Sequence, residues 1–180
     1  MIITRKVRLR VGFLAGLAYL AFVRPTWGSL FLGLPIAFLG LLVRAWAAGH
    51  IVKEQQLATT GPYAHTRNPL YFGSFLIAAG FALAAHWSLL LVVIALFAFL
   101  YGPTIDHERA EISRRFPDEY PAWAGNVPAF VPRLVPWRAE GRSGENSFSF
   151  GLYMRHREWQ AALAFAAAAL WLVVRTGLGI

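Results

Sequence analysis

The sequence predicts an all-α integral membrane protein: a helical bundle of about five transmembrane helices with a polar region on its cytoplasmic side. Three observations carry that expectation. Hydrophobic residues fill 57% of the 180 positions and charged residues only 14%, too apolar a mixture for an ordinary soluble domain. The apolar residues fall in long blocks rather than alternating. The basic residues gather at the ends of those blocks.

The first block, Val11 to Val23, follows the basic stretch Arg5-Lys6-Val7-Arg8-Leu9-Arg10. In outline this could pass for a signal peptide. No small-residue cleavage site follows, so it reads as a retained first span whose arginines snorkel to the surface. Arg24-Pro25-Thr26-Trp27-Gly28 is a turn with an interfacial tryptophan. Leu30 to Gly49 is a stronger second span, with Pro35 near its start and Arg44 near its end. An arginine there is costly facing lipid, so it should face a site or pair with a carboxylate. Leu70 to Tyr101 is one apolar run broken by His86-Trp87-Ser88. As one helix it would measure about 48 Å, against a hydrocarbon core of about 30 Å. A tight helical hairpin with His86 at the far surface is therefore expected. Asp106 to Arg157 is polar and proline-rich, and Trp159 to Val174 is a final span with Arg175 beyond it. The whole chain is expected to form one membrane domain without internal repeats.

With the N-terminus inside, this layout puts fourteen of the seventeen basic residues on the inner side. Arg24 and Arg175 lie outside and Arg44 lies within a span. By the positive-inside rule, the loop before Leu70 and the segment 106–157 share the cytoplasmic face of a cell membrane, bacterial in this reading. The net charge of +8 speaks to topology and anionic lipid, not to nucleic acid, because the basic residues do not line one helix face. The absence of cysteine excludes a disulfide, thiolate ligands and a thiol nucleophile. The five histidines show no metal-ligand spacing, so no metal is expected.

Two polar stretches stand out. Gly61-Pro62-Tyr63-Ala64-His65-Thr66-Arg67-Asn68-Pro69-Leu70-Tyr71-Phe72-Gly73 is punctuated by two prolines that stop a helix from running through it. A loop rich in arginine, histidine and tyrosine at a membrane edge is costly unless it grips something. Its simpler reading is an interhelical loop with Arg67 reaching lipid phosphates. The second stretch runs from Asp106 to Tyr120 and is helix-like up to Phe116. Asp106, Glu108, Glu111, Asp118 and Glu119 are five of the nine carboxylates in the chain. Its simpler reading is an amphipathic interfacial helix with Glu108 paired to Arg115. Val127-Pro128-Ala129-Phe130-Val131-Pro132 then folds an apolar strip back toward the membrane.

Taken in order, GPYAHTRNPLYFG, ERAEISRRFPDEYPAW and VPAFVP resemble the isoprenylcysteine carboxyl methyltransferase family, akin to the membrane phospholipid methyltransferases. The resemblance covers about residues 48–134, leaving 138–180 as an extra interfacial segment and span. It implies that the two motifs enclose S-adenosyl-L-methionine and that a lipid-like or prenylated acceptor enters from the bilayer. Tyr63, Arg67, Pro69, Tyr71, Glu108 and Tyr120 match the family pattern. Asn68 stands where the family has histidine, Arg109 where it has a second glutamate, Pro117 where it has glycine and Trp123 where it has a second aromatic.

Methyl transfer from a sulfonium is a direct displacement that needs geometry and electrostatics more than a covalent residue. Glu108 would accept from ribose hydroxyls or the cofactor's amine, and Arg67 would clamp a carboxylate. These two carry the catalytic expectation. Tyr63 and Tyr71 would pack on adenine or the sulfonium, Asn68 would orient the cofactor, and His65, Pro69 and Tyr120 complete the expected binding set. His65 and His107 are candidate bases for an amine acceptor, while His50, His86 and His156 look structural. A carboxylate, amine or thiol acceptor fits equally well. Two rival readings are a sterol-reductase-like NADPH enzyme, which needs cations converging on phosphates, and a non-catalytic membrane scaffold.

Overall fold

A computed structural model describes residues 5–50, 56–138 and 147–179. The described residues form helices, turns and extended strips, with no β-strand among them. Helix α1 (Arg5–Phe22) leads through a short turn to α2 (Trp27–Ala48). A 3₁₀ turn (Gly61–Ala64) precedes α3 (Pro69–Ala85) and α4 (Ser88–Arg115), and the shorter α5 (Tyr120–Asn126) and α6 (Phe150–Arg155) lead to α7 (Trp159–Leu178).

Local chemistry sets the boundaries. Thr26 caps α2 in a reciprocal box: the Ser29 amide donates to Thr26 Oγ1 at 3.1 Å and the Thr26 amide donates to Ser29 Oγ at 2.9 Å. That satisfies donors which the first helical turn leaves unpaired. Pro69 opens α3, where a missing N–H costs nothing. His86 and Trp87 alone separate α3 from α4, which is the tight hairpin expected. Helix α4 does not stop with the apolar run but continues to Arg115, carrying the acidic stretch out on a helical arm.

The five longer helices alternate in direction. Ser29 Oγ donates to the Ala84 carbonyl at 2.8 Å, so α2 starts where α3 ends. Tyr19 donates to the Phe81 carbonyl at 2.6 Å. The Arg175 guanidinium donates to the Leu20 and Ala21 carbonyls, both at 2.9 Å. The ends of α1, α3 and α7 therefore share one face, and the start of α7 meets the end of α2 at the other.

The tightest seam is α2 against α3. A Cβ at Gly33 would strike the Gly80 carbonyl and the Ala84 backbone, and one at Gly40 would strike the Gly73 carbonyl and the Ile77 amide. With Ala37 fully buried between them, small residues bring the two backbones into direct contact, the usual route to close helix packing in lipid.

The five-span expectation is corrected. By length and composition α2, α4 and α7 can each cross a membrane, whereas α3 and the Gly12–Phe22 portion of α1 are apolar but shorter. Counting apolar blocks equates each block with a crossing. The 17 residues of α3 reach only about 25 Å, short of a hydrocarbon core of about 30 Å.

Candidate functional site

The loop between α2 and α3 is built around two glycine and proline constraints. Gly61 has φ 57°, and a Cβ there would run into the His50 ring. Only glycine combines that left-handed backbone with that approach. The following turn buries Pro62, Tyr63 and Ala64, and Pro69 is fully buried at the start of α3.

The strip after α5 straps this loop in place. The Arg67 amide donates to the Pro128 carbonyl at 2.9 Å, the Arg133 amide to the His65 carbonyl at 2.9 Å, and the Trp137 amide to the Ala64 carbonyl at 3.0 Å. Thr66 Oγ1 donates to the Phe130 carbonyl and Asn68 Nδ2 to the Ala129 carbonyl, both at 2.8 Å. Trp123 Nε1 donates to the Tyr63 carbonyl at 2.9 Å from a buried position. The third motif is thus the backbone partner of the first, and the Asn68 amide spends a donor on it.

Side chains from the two polar stretches meet on this scaffold. Arg67 Nη1 donates to Tyr120 Oη at 3.0 Å, and Tyr71 Oη donates to Glu108 Oε1 at 2.7 Å. The Tyr71 ring packs edge-on against Tyr101, which stacks on Phe97. The recorded partner of Glu108 is Tyr71 and not Arg115. Nδ1 of His65 lies 2.8 Å from the Arg133 carbonyl. A carbonyl can only accept, so Nδ1 carries the proton and Nε2 is the remaining basic nitrogen. His107 is exposed on the outer arm of α4.

Two buried polar atoms here have no hydrogen-bond partner among the described residues, Tyr63 Oη and Arg67 Nε. Tyr63 is only 6% exposed. Burial pushes its pKa up, the Glu108 and Glu158 carboxylates push the same way, and Arg44 partly offsets them. The hydroxyl therefore stays protonated and able to donate. Buried orphan donors cost free energy, and a pair on the same loop suits a ligand that brings acceptors.

Below this cluster Arg44 joins three helices. Its Nε and Nη2 hold Glu158 Oε2 and Oε1 at 3.0 and 2.6 Å, while Nη1 donates to Ser74 Oγ. The arginine does pair with a carboxylate, as its place within a span required. The partner lies 114 residues away at the start of α7, and its only sequence signal is an acidic residue bordering an apolar run. Phe148 packs over Gly49, and the His156 ring reaches the Ala48 carbonyl at 3.0 Å. The C-terminal segment thus closes over the end of α2.

The phospholipid methyltransferase family model matches residues 29–119, a span holding Arg44, the whole loop, Tyr71 and Glu108. The chain is 33% identical over 144 residues to a nickel-cobalt-cadmium resistance protein, NccN, of Alcaligenes xylosoxydans xylosoxydans, covering 78% of this chain and 66% of that one. It is 32% identical over 145 residues to a cobalt-zinc-cadmium resistance protein, CzcN, of Cupriavidus metallidurans, covering 77% and 67%. The chain thus spans about two thirds of the length of these curated relatives. Among the described residues no group of three or more His, Cys, Asp or Glu could hold a metal ion. No solved structure matches the chain.

Proposed function

The chain belongs to the phospholipid methyltransferase family, and from that premise we propose that it is an integral membrane methyltransferase. Its donor in this reading is S-adenosyl-L-methionine and its acceptor a hydrophobic or lipid-anchored molecule. The observation that carries the reading is that the family match runs through both halves of one polar cluster, from the loop to Glu108.

The residues present fit the donor. When bound, it supplies an electrophilic methyl group on a sulfonium. The second oxygen of Glu108 is placed to accept from a hydroxyl or an ammonium, and Tyr71 fixes the carboxylate's orientation through its hydroxyl. Arg67 is held by Tyr120, leaving Nε to donate to a carboxylate. Tyr63 Oη offers a second donor, and tyrosine ring faces suit a cation. His65 Nε2 is available as a base where the acceptor must lose a proton. The positive-inside rule supports a cytoplasmic position for this end of the bundle.

The test is binding followed by transfer. S-adenosylhomocysteine should stabilise the purified protein in detergent by about 2.7 kcal/mol at a hundred times its Kd, and label should pass from the donor into a lipid extract. Glu108→Gln should weaken S-adenosylhomocysteine binding about 10- to 150-fold, the worth of a charge-assisted hydrogen bond. Glu111→Gln, exposed one turn along the same helix, should not. A thermal response to NADPH instead of S-adenosylhomocysteine would transfer the proposal to a reductase. Equal losses in the two variants would remove Glu108 from the site.

A further inference from the structure

The strip from Val127 to Trp137 is more than a strap. Its inner side is spent: the carbonyls of Pro128, Ala129, Phe130 and Arg133 and the amides of Arg133 and Trp137 bond to the loop over residues 64–68. Pro128, Pro132 and Pro136 have no amide to leave unpaired. The bonded groups and the prolines leave only part of this backbone needing water, which suits the hydrated headgroup boundary better than the hydrocarbon core.

Its depth is also fixed. The Phe130 ring packs against Phe72 and Phe75 of α3 and Phe97 of α4, with centroids 5.6, 5.8 and 5.7 Å away. Phe75 lies six positions into α3, about 9 Å along its axis. The strip therefore lies level with the first turns of the apolar hairpin and not above it. On its outer side Leu134 is 96% exposed, and Val131 and Val135 are exposed beside it. Arg133, between Val131 and Leu134, donates Nη1 to the Asn126 carbonyl at 2.6 Å, and exposed Arg138 follows Val135.

We propose that Val131, Leu134 and Val135 seat this strip in the headgroup–acyl boundary of an anionic leaflet, with Arg138 at the phosphate level. Apolar side chains beside an exposed arginine at the end of a membrane bundle match that boundary in both polarity and charge. The seating sets the height of Thr66, Arg67 and Asn68, so the polar cluster opens at the bilayer surface. The inference rests on the placement of the strip and not on methyl transfer.

The chain has no cysteine, which makes a direct depth measurement simple. Nitroxide labels are attached to Leu134→Cys, to Leu96→Cys on the exposed apolar side of α4, and to Glu111→Cys on the outer arm. Each full-length variant is reconstituted in discs of phosphatidylcholine alone or of phosphatidylcholine and phosphatidylglycerol in equal parts. Oxygen and a nickel chelate are the two relaxing agents. The label at 134 is expected to resemble 96, with an oxygen-to-nickel ratio several-fold above that at 111. The ratio should rise further with phosphatidylglycerol, and Arg138→Gln should remove that rise. A label at 134 as open to nickel as the one at 111 overturns the proposal. So does a label shielded from both agents, which would place protein over the strip. Equal depth in both lipids overturns the anionic preference.

Discussion

Glu158 and Arg44 offer the sharpest quantitative test of how the C-terminal helix is held. Their side chains are 11% and 23% exposed and joined by two hydrogen bonds. Removing one partner of an interior ion pair typically costs about 3–5 kcal/mol, because the survivor is left as an uncompensated charge. Arg44 keeps Ser74 after Glu158→Gln, so the lower end applies, about 3 kcal/mol. In a chain of this size that should lower Tm by about 6–12 °C. Replacing both residues with methionine removes both charges at similar volume and should restore stability to within about 1 kcal/mol of the parent. Thermal unfolding of the parent, Glu158→Met, Arg44→Met and the double variant, followed by circular dichroism in detergent, measures the coupling directly. A double variant as unstable as the sum of the singles would refute the reasoning, as would a silent Glu158→Gln.

Tyr63→Phe deletes a buried hydroxyl that has no partner among the described residues. The ligand-free protein should be unchanged or about 1 kcal/mol more stable by thermal melting, while S-adenosylhomocysteine affinity in titration calorimetry falls about 2- to 10-fold. Burial raises the pKa of Tyr63 above its ordinary value of 10.0, so the unfolded chain gives up this proton first as pH rises. Stability should then fall by about 1.4 kcal/mol per pH unit above about pH 10, and Tyr63→Phe should remove that share of the slope. Gly40→Ala should cost several °C in Tm, because its Cβ meets the α3 backbone. Gly102→Ala, with open space around it, should be neutral or stabilising by up to about 1 kcal/mol. Trp87→Cys should react with an impermeant maleimide on intact cells and His107→Cys only after lysis; the reverse pattern would invert the proposed orientation.

Much of the architecture was legible because it rests on local rules. The His86 hairpin followed from the length of an apolar run, the helical arm from the spacing of Glu108, Glu111 and Arg115, and the need of Arg44 for a carboxylate from its place in a span. What escaped was non-local. Nothing in sequence spacing reveals that Glu158 meets Arg44, or that Asn68 uses its amide on the Ala129 carbonyl, since extended strips pair through backbone atoms that every residue has. The span count failed for another reason. Hydropathy registers an apolar block but not whether it is long enough to cross, and the 17 residues of α3, bounded as expected, are short for a crossing. Of the expected site residues, the structure joins Arg67 to Tyr120 and Tyr71 to Glu108, while Pro69 is enclosed entirely within the protein.

The glycine seam between α2 and α3 has a kinetic consequence. Side chains at an ordinary helix interface can swap rotamers and let the helices slide, but backbone atoms in contact have no such slack. The two helices must behave as one rigid plate. Any opening wide enough to admit a lipid-sized molecule is then expected to be a displacement of α1, α4 or α7 against that plate, with the His86–Trp87 link and Arg157, whose φ of 57° marks a backbone bend just before α7, as hinges for the last two. Paired spin labels across α2 and α3 should keep one distance through ligand binding, while pairs reaching from the plate to α1, α4 or α7 should not.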